Sequence, residues 1–562
     1  MTFNLRIDSV GFSGREEAVD LRESDLVVLI GPNNAGKSLA LREILVHLTE
    51  GVADDGVKVV ANLGFTRSGD LNDFEQWIKE AASFVPRDGQ SHPKIVGPSG
   101  ELNFEYAQGV WQQTGSLGAL TPFLVSLVDA ETRLQLSQSV GNFDVVHGQA
   151  QTPLQRLVQD HAAEVRVSAA VERAFGNPIS VTRAGGSIIH LHIGKPQAEA
   201  RLDNPVYLRE LASLPLVSEQ GDGVRSFVGL TMTLEATPYP VVLVDEPEAF
   251  LHPPQAKEMG RQLARSNGRQ RFVATHDSDV LMGLIDYASS PTIIRLRRDG
   301  DKNVPAVLNH EQIKALWRDP AFRYSNLLDG LFHRGVVICE AEGDATLYAA
   351  ALDAEQERQE QPASDLLFTQ CGGKHKMPAA INALRPMGVP VRVIADVDVL
   401  RDQGLLSRIV HSLGGDWESL EHRWRRTANA VESLPLEAAT IGDVYTRLNT
   451  ILGENPAARI SEQQTRSIRE ATKRFDGWRQ VRDRGGVLAS LRGDAHADAQ
   501  ILLDALKQIG LFVVPVGALE GWAPTIGGHG SGYVSACLDG KVHETNDALR
   551  NFAYRASSGL LS

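Results

Sequence analysis

The sequence predicts an α/β protein of two consecutive parallel-sheet domains, and three observations carry that prediction. Its 562 residues exceed what one ordinary core serves, so more than one domain is expected. The stretch SDLVVLIGPNNAGKSLALREILVHL, Ser24 to Leu48, runs from an apolar strand through a glycine-bounded loop into a helix. After NLLDGLFHRG, Asn326 to Gly335, the alternation of strand and helix starts afresh and runs to VRVIADVDVL, Val391 to Leu400, where two aspartates close an apolar run. The first domain is expected over 1–330 with an insertion over about 65–200, and the second over 331–562 with a helical insertion over about 414–499.

Bulk composition narrows the classes. With 42% hydrophobic and 22% charged residues, the chain has the apolar material for packed cores. No apolar run reaches the length of a membrane span, and the start MTFNLRIDSV lacks the pattern of a secretion signal, so a cytoplasmic protein with no membrane partner is expected. Three cysteines, Cys339, Cys371 and Cys537, none in a CxxC pair, suit a reducing compartment and argue against zinc. His190 and His192 in IIHLHIG share a spacing that metal ligands use, but no further ligand cluster lies near, so an ordinary strand face is expected. A net charge of -14 excludes a surface that is basic throughout and leaves room for a local basic groove. Acidic sites that bind divalent cations also fit that charge.

In the first domain the loop Gly31–Ser38 fits G-x-x-x-x-G-K-[ST]. Gly31 and Gly36 let the intervening backbone, through Asn33, Asn34 and Ala35, turn its N–H groups toward phosphates. Lys37 supplies a cation to the β and γ phosphates of ATP, and Ser38 a hydroxyl to Mg2+. Such a loop calls for a second strand ending in an acid, and YPVVLVDEPEAFLHP, Tyr239 to Pro253, supplies it. There Asp245 is expected to hold Mg2+ through water and Glu246 to orient the attacking water. A third strand, RFVATHDSDVL, ends near His276, which either senses the γ-phosphate or is an ordinary packed side chain.

These pieces resemble the ABC-type ATPase heads of DNA repair and chromosome proteins. The resemblance implies heads that pair, a glycine-containing helix start on one completing the nucleotide site of the other. LVSEQGDGVRSFVGL, Leu216 to Leu230, falls where that signature belongs, with Gly221, Asp222 and Gly223 as its core and Ser218 as an added hydroxyl. It departs from the usual serine-glycine-glycine order, and a plain loop capping a helix is the other reading. DHAAEVRVSAAVERAFG, Asp160 to Gly176, reads as an amphipathic helix ending at a glycine, and serves equally as a dimer contact or a DNA arm.

In the second domain VVICE, DLLFTQ and VPVRVIADVDVL are the strands of a βαβαβ unit, joined by helices from near Gly343 and in KMPAAINALRPMG. Parallel strands bring their C-terminal ends to one edge, where functional groups collect. Glu340, Asp344, Asp396 and Asp398 therefore converge, the last two on one face by the alternation of a strand, and their repulsion calls for a divalent cation such as Mg2+ or Mn2+. A fourth strand in LFVVPVGALEGW leads to Glu520 as a further ligand. GGHGSGYVSACLDGK offers His529 and Lys541 as phosphate or transition-state partners, with ordinary loop roles as the alternative. In the insertion Trp417, Trp424, Arg425, Arg426, Arg466, Arg469, Lys473, Arg474, Trp478 and Arg479 mix aromatics with cations, as a nucleic-acid track or a solvated helical face would.

This order of acids resembles a Toprim domain, the metal-dependent phosphodiester fold of topoisomerases, primases and certain nucleases. Glu340, Asp396 and Asp398 match its acids, and Asp344 the extra acid of nuclease members; Ala341 stands where glycine usually follows the first Glu. An ABC-type head followed by a Toprim domain resembles the OLD (overcoming lysogenization defect) family. That resemblance implies ATP and Mg2+ or Mn2+ at the two sites, and a DNA endonuclease or nickase that oligomerises through its heads. It further implies service in defence against phage, alone or with a helicase or reverse-transcriptase partner. The expected chemistry is two-metal hydrolysis, with the ions about 3.5 to 4 Å apart. A rival reading is an ATP-gated DNA clamp or sensor whose second domain is structural, a reading Ala341 favours. Topoisomerase and primase chemistry lack their tyrosine domain and zinc module here.

Overall fold

The computed structural model describes residues 3–51, 58–81, 83–85, 93–97, 100–113, 115–145, 150–183, 186–201, 203–265, 268–311, 313–314, 326–435, 441–452, 460–461, 464–465, 467–468 and 476–561. The chain forms two compact units, Met1–Asp319 with Leu331–His333 and Pro320–Gly330 with Arg334–Ser562. No helix among the described residues is long and apolar enough to cross a membrane.

The first unit is organised by a six-stranded sheet in the order Lys302–Leu308, Thr292–Asp299, Leu26–Ile30, Gln270–Ala274, Val241–Asp245, Val125–Val128. All neighbours run parallel except Lys302–Leu308, which pairs antiparallel with Thr292–Asp299. Leu26–Ile30 and Val241–Asp245 are buried at every position, which is why both read as unbroken apolar runs up to the acid. Parallel register aligns Asp245 with Ala274, and Ala274 with Leu29, so the phosphate-type loop, the acid pair and the His276 segment leave the sheet at one edge. A separate antiparallel sheet sets Asn4–Phe12 between Val19–Asp20 and Val60–Ser68.

Part of the region 65–200, expected as an insertion, contributes strands to the larger sheets of this unit, and other parts form small sheets of their own. Val125–Val128 is the outer strand of the central sheet, and Val60–Ser68 pairs with the N-terminal strand. Val125–Val128 is only four residues long and Val60–Ser68 is mostly exposed or half-buried, so neither stands out in sequence as an apolar run. The amphipathic segment forms the helix His161–Phe175, capped by the Asp160 side chain and closed by Gly176 in the left-handed region. It packs on the helices Asp222–Ala236 and Pro253–Ala264. His190 and His192 take ordinary partners: His190 Nδ1 lies 2.8 Å from Ser139 Oγ, and His192 Nδ1 3.1 Å from the Leu214 carbonyl.

In the second unit four parallel strands take the order Leu366–Gln370, Gly335–Cys339, Val391–Ala395, Leu511–Val513. The helices Glu342–Arg358 and Asp547–Leu561 share a core with this sheet, where Val337, Tyr348, Phe512, Trp522 and Phe552 meet. Within 414–499 the helices include Trp417–Glu432, Gly477–Asp483 and Gly493–Ile509. Trp417, Trp424 and Trp478 are buried, and Trp424 Nε1 donates to the Leu400 carbonyl at 2.8 Å, so these indoles are core and offer no stacking platform to nucleic acid. Arg425 pairs with Glu421 at 2.7 Å, Arg426 with Asp498 at 2.9 Å and Arg479 with Asp483 at 3.8 Å, as on a solvated helical face. Arg466, Arg469, Lys473 and Arg474 lie outside the described residues.

Candidate functional site

Each unit gathers polar groups at the C-terminal edge of its parallel sheet. In the first, Gly31 has φ +138, and a Cβ there would lie 2.3 Å from the Leu296 carbonyl oxygen, so the loop's entry admits only glycine. Asn34 and Gly36 also take positive φ, and the Asn303 side chain donates to the Ala35 carbonyl at 2.6 Å, fixing the loop from below. The helix Lys37–Glu50 then begins with no acid in its first turn, leaving its positive end open to an anion. Lys37 Nζ lies buried across the loop, donating to the carbonyls of Gly31 at 2.8 Å and Pro32 at 2.9 Å. Ser38 Oγ donates to Asp245 Oδ1 at 2.8 Å, joining two groups expected at one magnesium ion. Burial holds the Asp245 carboxyl above its ordinary value, and a cation beside it would offset that cost.

Glu246 follows with φ +48, and its backbone N–H is held by the Ala274 carbonyl at 2.9 Å. His276 Nδ1 stands 3.8 Å from Glu246 Oε1 but only 3.1 Å from Glu248 Oε1. Glu248, which sequence reasoning passed over, is buried; it accepts from Thr275 Oγ1 at 2.8 Å and from the His276 backbone N–H at 2.9 Å. The repeated acid in DEPEA was its available signal. A buried carboxylate thus orients the His276 segment toward Glu246. Gly221 precedes the helix Asp222–Ala236, and a Cβ on Gly223 would lie 2.7 Å from the Phe250 carbonyl, so this glycine lets the helix start approach the turn after the acid strand. Ser218 sits in the short turn Val217–Glu219 before it. Asn33 lies within the loop at its exposed crest.

In the second unit Glu340 directly follows the strand Gly335–Cys339, and its Oε1 accepts the backbone N–H of Asp396 at 3.1 Å, joining two strand ends. Asp344 Oδ2 accepts the Ala341 N–H at 3.0 Å, so this acid also caps its own helix. The strand Val391–Ala395 stops before either aspartate: Asp396 is the next residue, and Asp398 lies in the 3-10 turn Val397–Arg401. Strand alternation therefore does not put both on one face; a tight turn brings the second acid back toward the first.

Two cations that sequence reasoning missed stand among these acids. Lys374 Nζ lies 2.5 Å from Asp398 Oδ2, while Arg482 reaches Asp396 at 3.8 Å and Glu520 at 3.7 Å. Glu520 also faces His529 Nδ1 at 3.2 Å, which makes His529 a neighbour of the group. Lys541 does not belong to it. Its ammonium pairs with Glu544 at 3.1 Å on an exposed turn, and among the described residues it forms no ion pair with the clustered acids. Lys541 stands beyond the helix Ser531–Asp539 that follows the glycine-rich loop, at the start of the turn Val542–Thr545, whereas Lys374 follows Gly372 and Gly373 at a strand end, a position the fold pattern marks.

Burial, and then the charges of Glu340 and Asp344, push the Asp396 carboxyl up to about 8. Burial and the charge of Asp398 push Glu340 to about 6, and burial raises Asp344. Among the described residues no group of three or more acids, histidines or cysteines is placed to hold a metal ion as the side chains stand. The donor set still fits a hard divalent cation: it is all oxygen, burial disfavours the ionised forms of Glu340, Asp344 and Asp396, and Asp398 Oδ1 is buried with no hydrogen-bond partner. The pH dependence of stability follows. Because the native value of Asp396 lies above its ordinary 3.8, its contribution is full at low pH and is lost as pH rises from about 4 through about 8. In chelator, the melting temperature of wild type should fall behind that of Asp396→Asn between pH 5 and pH 8; an equal gap at both values contradicts this.

The family model described as "AAA domain, putative AbiEii toxin, Type IV TA system" matches residues 179–283, which hold the helix start, the acid strand and His276 but not the loop Gly31–Ser38. No curated protein sequence matches the chain. Among solved structures, the chain is similar to an SMC head bound to the C-winged helix domain of ScpA, at 13% identity and TM-score 0.34, over 55% of this chain and 99% of that one. It is also similar to the SMC head domain from Thermotoga maritima, at 13% identity and TM-score 0.28, over 55% and 100%. A third is the Smc head with an extended coiled coil bound to the C-terminal domain of ScpA from Pyrococcus furiosus, at 12% identity and TM-score 0.31, over 56% and 99%. These structural overlaps are loose. Residues 179–283 thus resemble an AAA domain, and the loop Gly31–Ser38 has the backbone geometry of a phosphate-binding loop.

Proposed function

We propose that the protein is an ATP-regulated, divalent-metal-dependent DNA endonuclease or nickase of the OLD type, with its second unit serving as a Toprim domain in the cytoplasm. The observation that carries this reading is the acid edge of the four-stranded sheet, where Asp396 is pushed to about 8 beside Glu340 and Asp398 Oδ1 is buried without a partner. Glu340, Asp344, Asp396 and Asp398 would hold the metal, with Glu520 as a further ligand. Bound there, Mg2+ or Mn2+ supplies a nucleophile at neutral pH and charge stabilisation on the phosphodiester. Lys374 and Arg482, already beside these acids, are suited to hold a phosphate of the DNA backbone. In the first unit Lys37 and the loop N–H groups bind ATP, Ser38 and Asp245 hold its Mg2+, and Glu246 orients water.

Pairing of heads through the helix start at Gly221–Gly223, service in defence against phage, and a helicase or reverse-transcriptase partner belong to the same proposal. The test is incubation of the full chain with supercoiled plasmid, with and without Mg2+, Mn2+ and ATP, at fixed free metal. Metal-dependent nicked or linear product whose rate changes with ATP is expected, and Lys37→Ala should lose the response to ATP. Intact plasmid under every metal condition overturns the nuclease reading. The rival clamp or sensor is favoured by Ala341 and by the ion pairs that Lys374 and Arg482 make with the acids, and it predicts that intact plasmid together with nucleotide-dependent DNA retention.

A further inference from the structure

Arg133 lies on the short helix Ala130–Leu136, directly after the outer strand of the first unit's central sheet, and is completely buried. Its guanidinium makes three hydrogen bonds to two different elements. Nη1 donates to the Asp245 carbonyl at 2.8 Å, Nη2 to the Glu246 carbonyl at 2.9 Å, and Nε to Ser226 Oγ at 2.9 Å. Asp245 and Glu246 close the acid strand; Ser226 stands in the second turn of the helix Asp222–Ala236. The contact is close by construction, since a Cβ on Gly229 of that helix would lie 2.2 Å from the Arg133 carbonyl oxygen.

Burying a guanidinium is costly, and an apolar side chain would fill the same space without that cost. What the arginine adds is the tie itself. It acts where the backbone is least comfortable: Glu246 holds φ +48, a region that side-chain-bearing residues rarely occupy and keep only where their surroundings impose it. The Glu246 carbonyl also accepts the Ala249 N–H at 2.9 Å, so Arg133 completes the restraint on this turn. A shift of the helix Asp222–Ala236 would reach Glu246 through one side chain.

We propose that Arg133 is a positioning residue for ATP hydrolysis, linking Ser226 on the helix Asp222–Ala236 to the carbonyls of Asp245 and Glu246 and so setting where the Glu246 carboxylate stands. The inference rests on the reading of Glu246 as the group that orients water. Arg133 touches neither nucleotide nor water in this scheme, and the loop Gly31–Ser38 keeps its own restraints without it.

Steady-state ATP hydrolysis and fluorescent-nucleotide binding, measured on the full chain, test this with Arg133→Lys and Ser226→Ala. Loss of one or two charge-assisted bonds at a positioned group corresponds to a fall in kcat of roughly tenfold to a hundredfold, with nucleotide affinity held within about twofold. Ser226→Ala, which removes one hydroxyl and leaves the fold's apolar core untouched, should lower kcat in the same direction by less. In a Glu246→Gln background, Arg133→Lys should add little, because both substitutions act on one group. Unchanged kcat in both single variants overturns the proposal, as does a loss of affinity and kcat in parallel with the folded fraction seen in thermal melts. Full additivity with Glu246→Gln overturns it too. A wild type that binds no ATP removes the nucleotide reading itself, an outcome distinct from a wild type that turns ATP over while indifferent to Arg133.

Discussion

Lys37→Ala is expected to abolish tight nucleotide binding while leaving the first unit folded. The ammonium is buried over the loop and held by the carbonyls of Gly31 and Pro32. Phosphate oxygens would take the place of those neutral acceptors, and a hydrogen bond to a charged group contributes about 1.5–3 kcal/mol, so losing two such bonds weakens binding by roughly a hundredfold or more. The loop's shape depends instead on Gly31 against Leu296 and on Asn303 against Ala35, neither of which the substitution touches. Glu246→Gln separates binding from turnover. Glutamine keeps the size of the side chain but cannot accept a proton from water, so this variant should bind ATP with wild-type affinity and hydrolyse it slowly. Fluorescent-nucleotide titration and phosphate release decide both; equal affinity in wild type and Lys37→Ala sinks the assignment of the loop.

Legibility from sequence followed the range of the interactions. The loop Gly31–Ser38, the acid strand and the βαβαβ unit could be read because each is written in consecutive residues: an apolar run long enough to be a buried strand, then a glycine or an acid at its end. Helix His161–Phe175 was legible for the same reason, with its caps at Asp160 and Gly176. What stayed hidden depends on partners far away in the chain. Val125–Val128 is the outer strand of the central sheet only because Val241–Val244 lies beside it. Arg133 reads as a surface charge until Ser226, Asp245 and Glu246 close around it. Lys374 and Arg482 join the acid edge only through the folding of the second unit, whereas Lys541, in a more suggestive stretch of sequence, is taken by a carboxylate three residues on. The tryptophans of the insertion were ambiguous because helical spacing serves a buried face and a stacking platform alike; burial of Trp417, Trp424 and Trp478 settles that point.

Asp396→Ala and Asp398→Ala should each lose nearly all plasmid cleavage yet keep ATP hydrolysis, because the nucleotide site belongs to the other unit. A ligand removed from a metal that supplies the nucleophile costs orders of magnitude in rate. The two variants should differ in stability, and the difference reports on the site independently of activity. Asp396 is buried, and without metal its ionised form is opposed by burial and by Glu340 and Asp344, so Asp396→Ala should hold or gain stability at pH 8 in chelator. Asp398 pairs with Lys374 at 2.5 Å, so its removal strips the lysine of that partner and offsets the relief. Mn2+ should raise the melting temperature of wild type by mass action and raise that of either variant less. A structural role for the acids predicts the opposite pattern: both variants less stable at every pH, cleavage reduced only in proportion to the folded fraction, and no difference in the response to Mn2+. Cleavage at the wild-type rate by either variant would take that aspartate out of the active site, and with both gone the case for a nuclease at this sheet edge is lost.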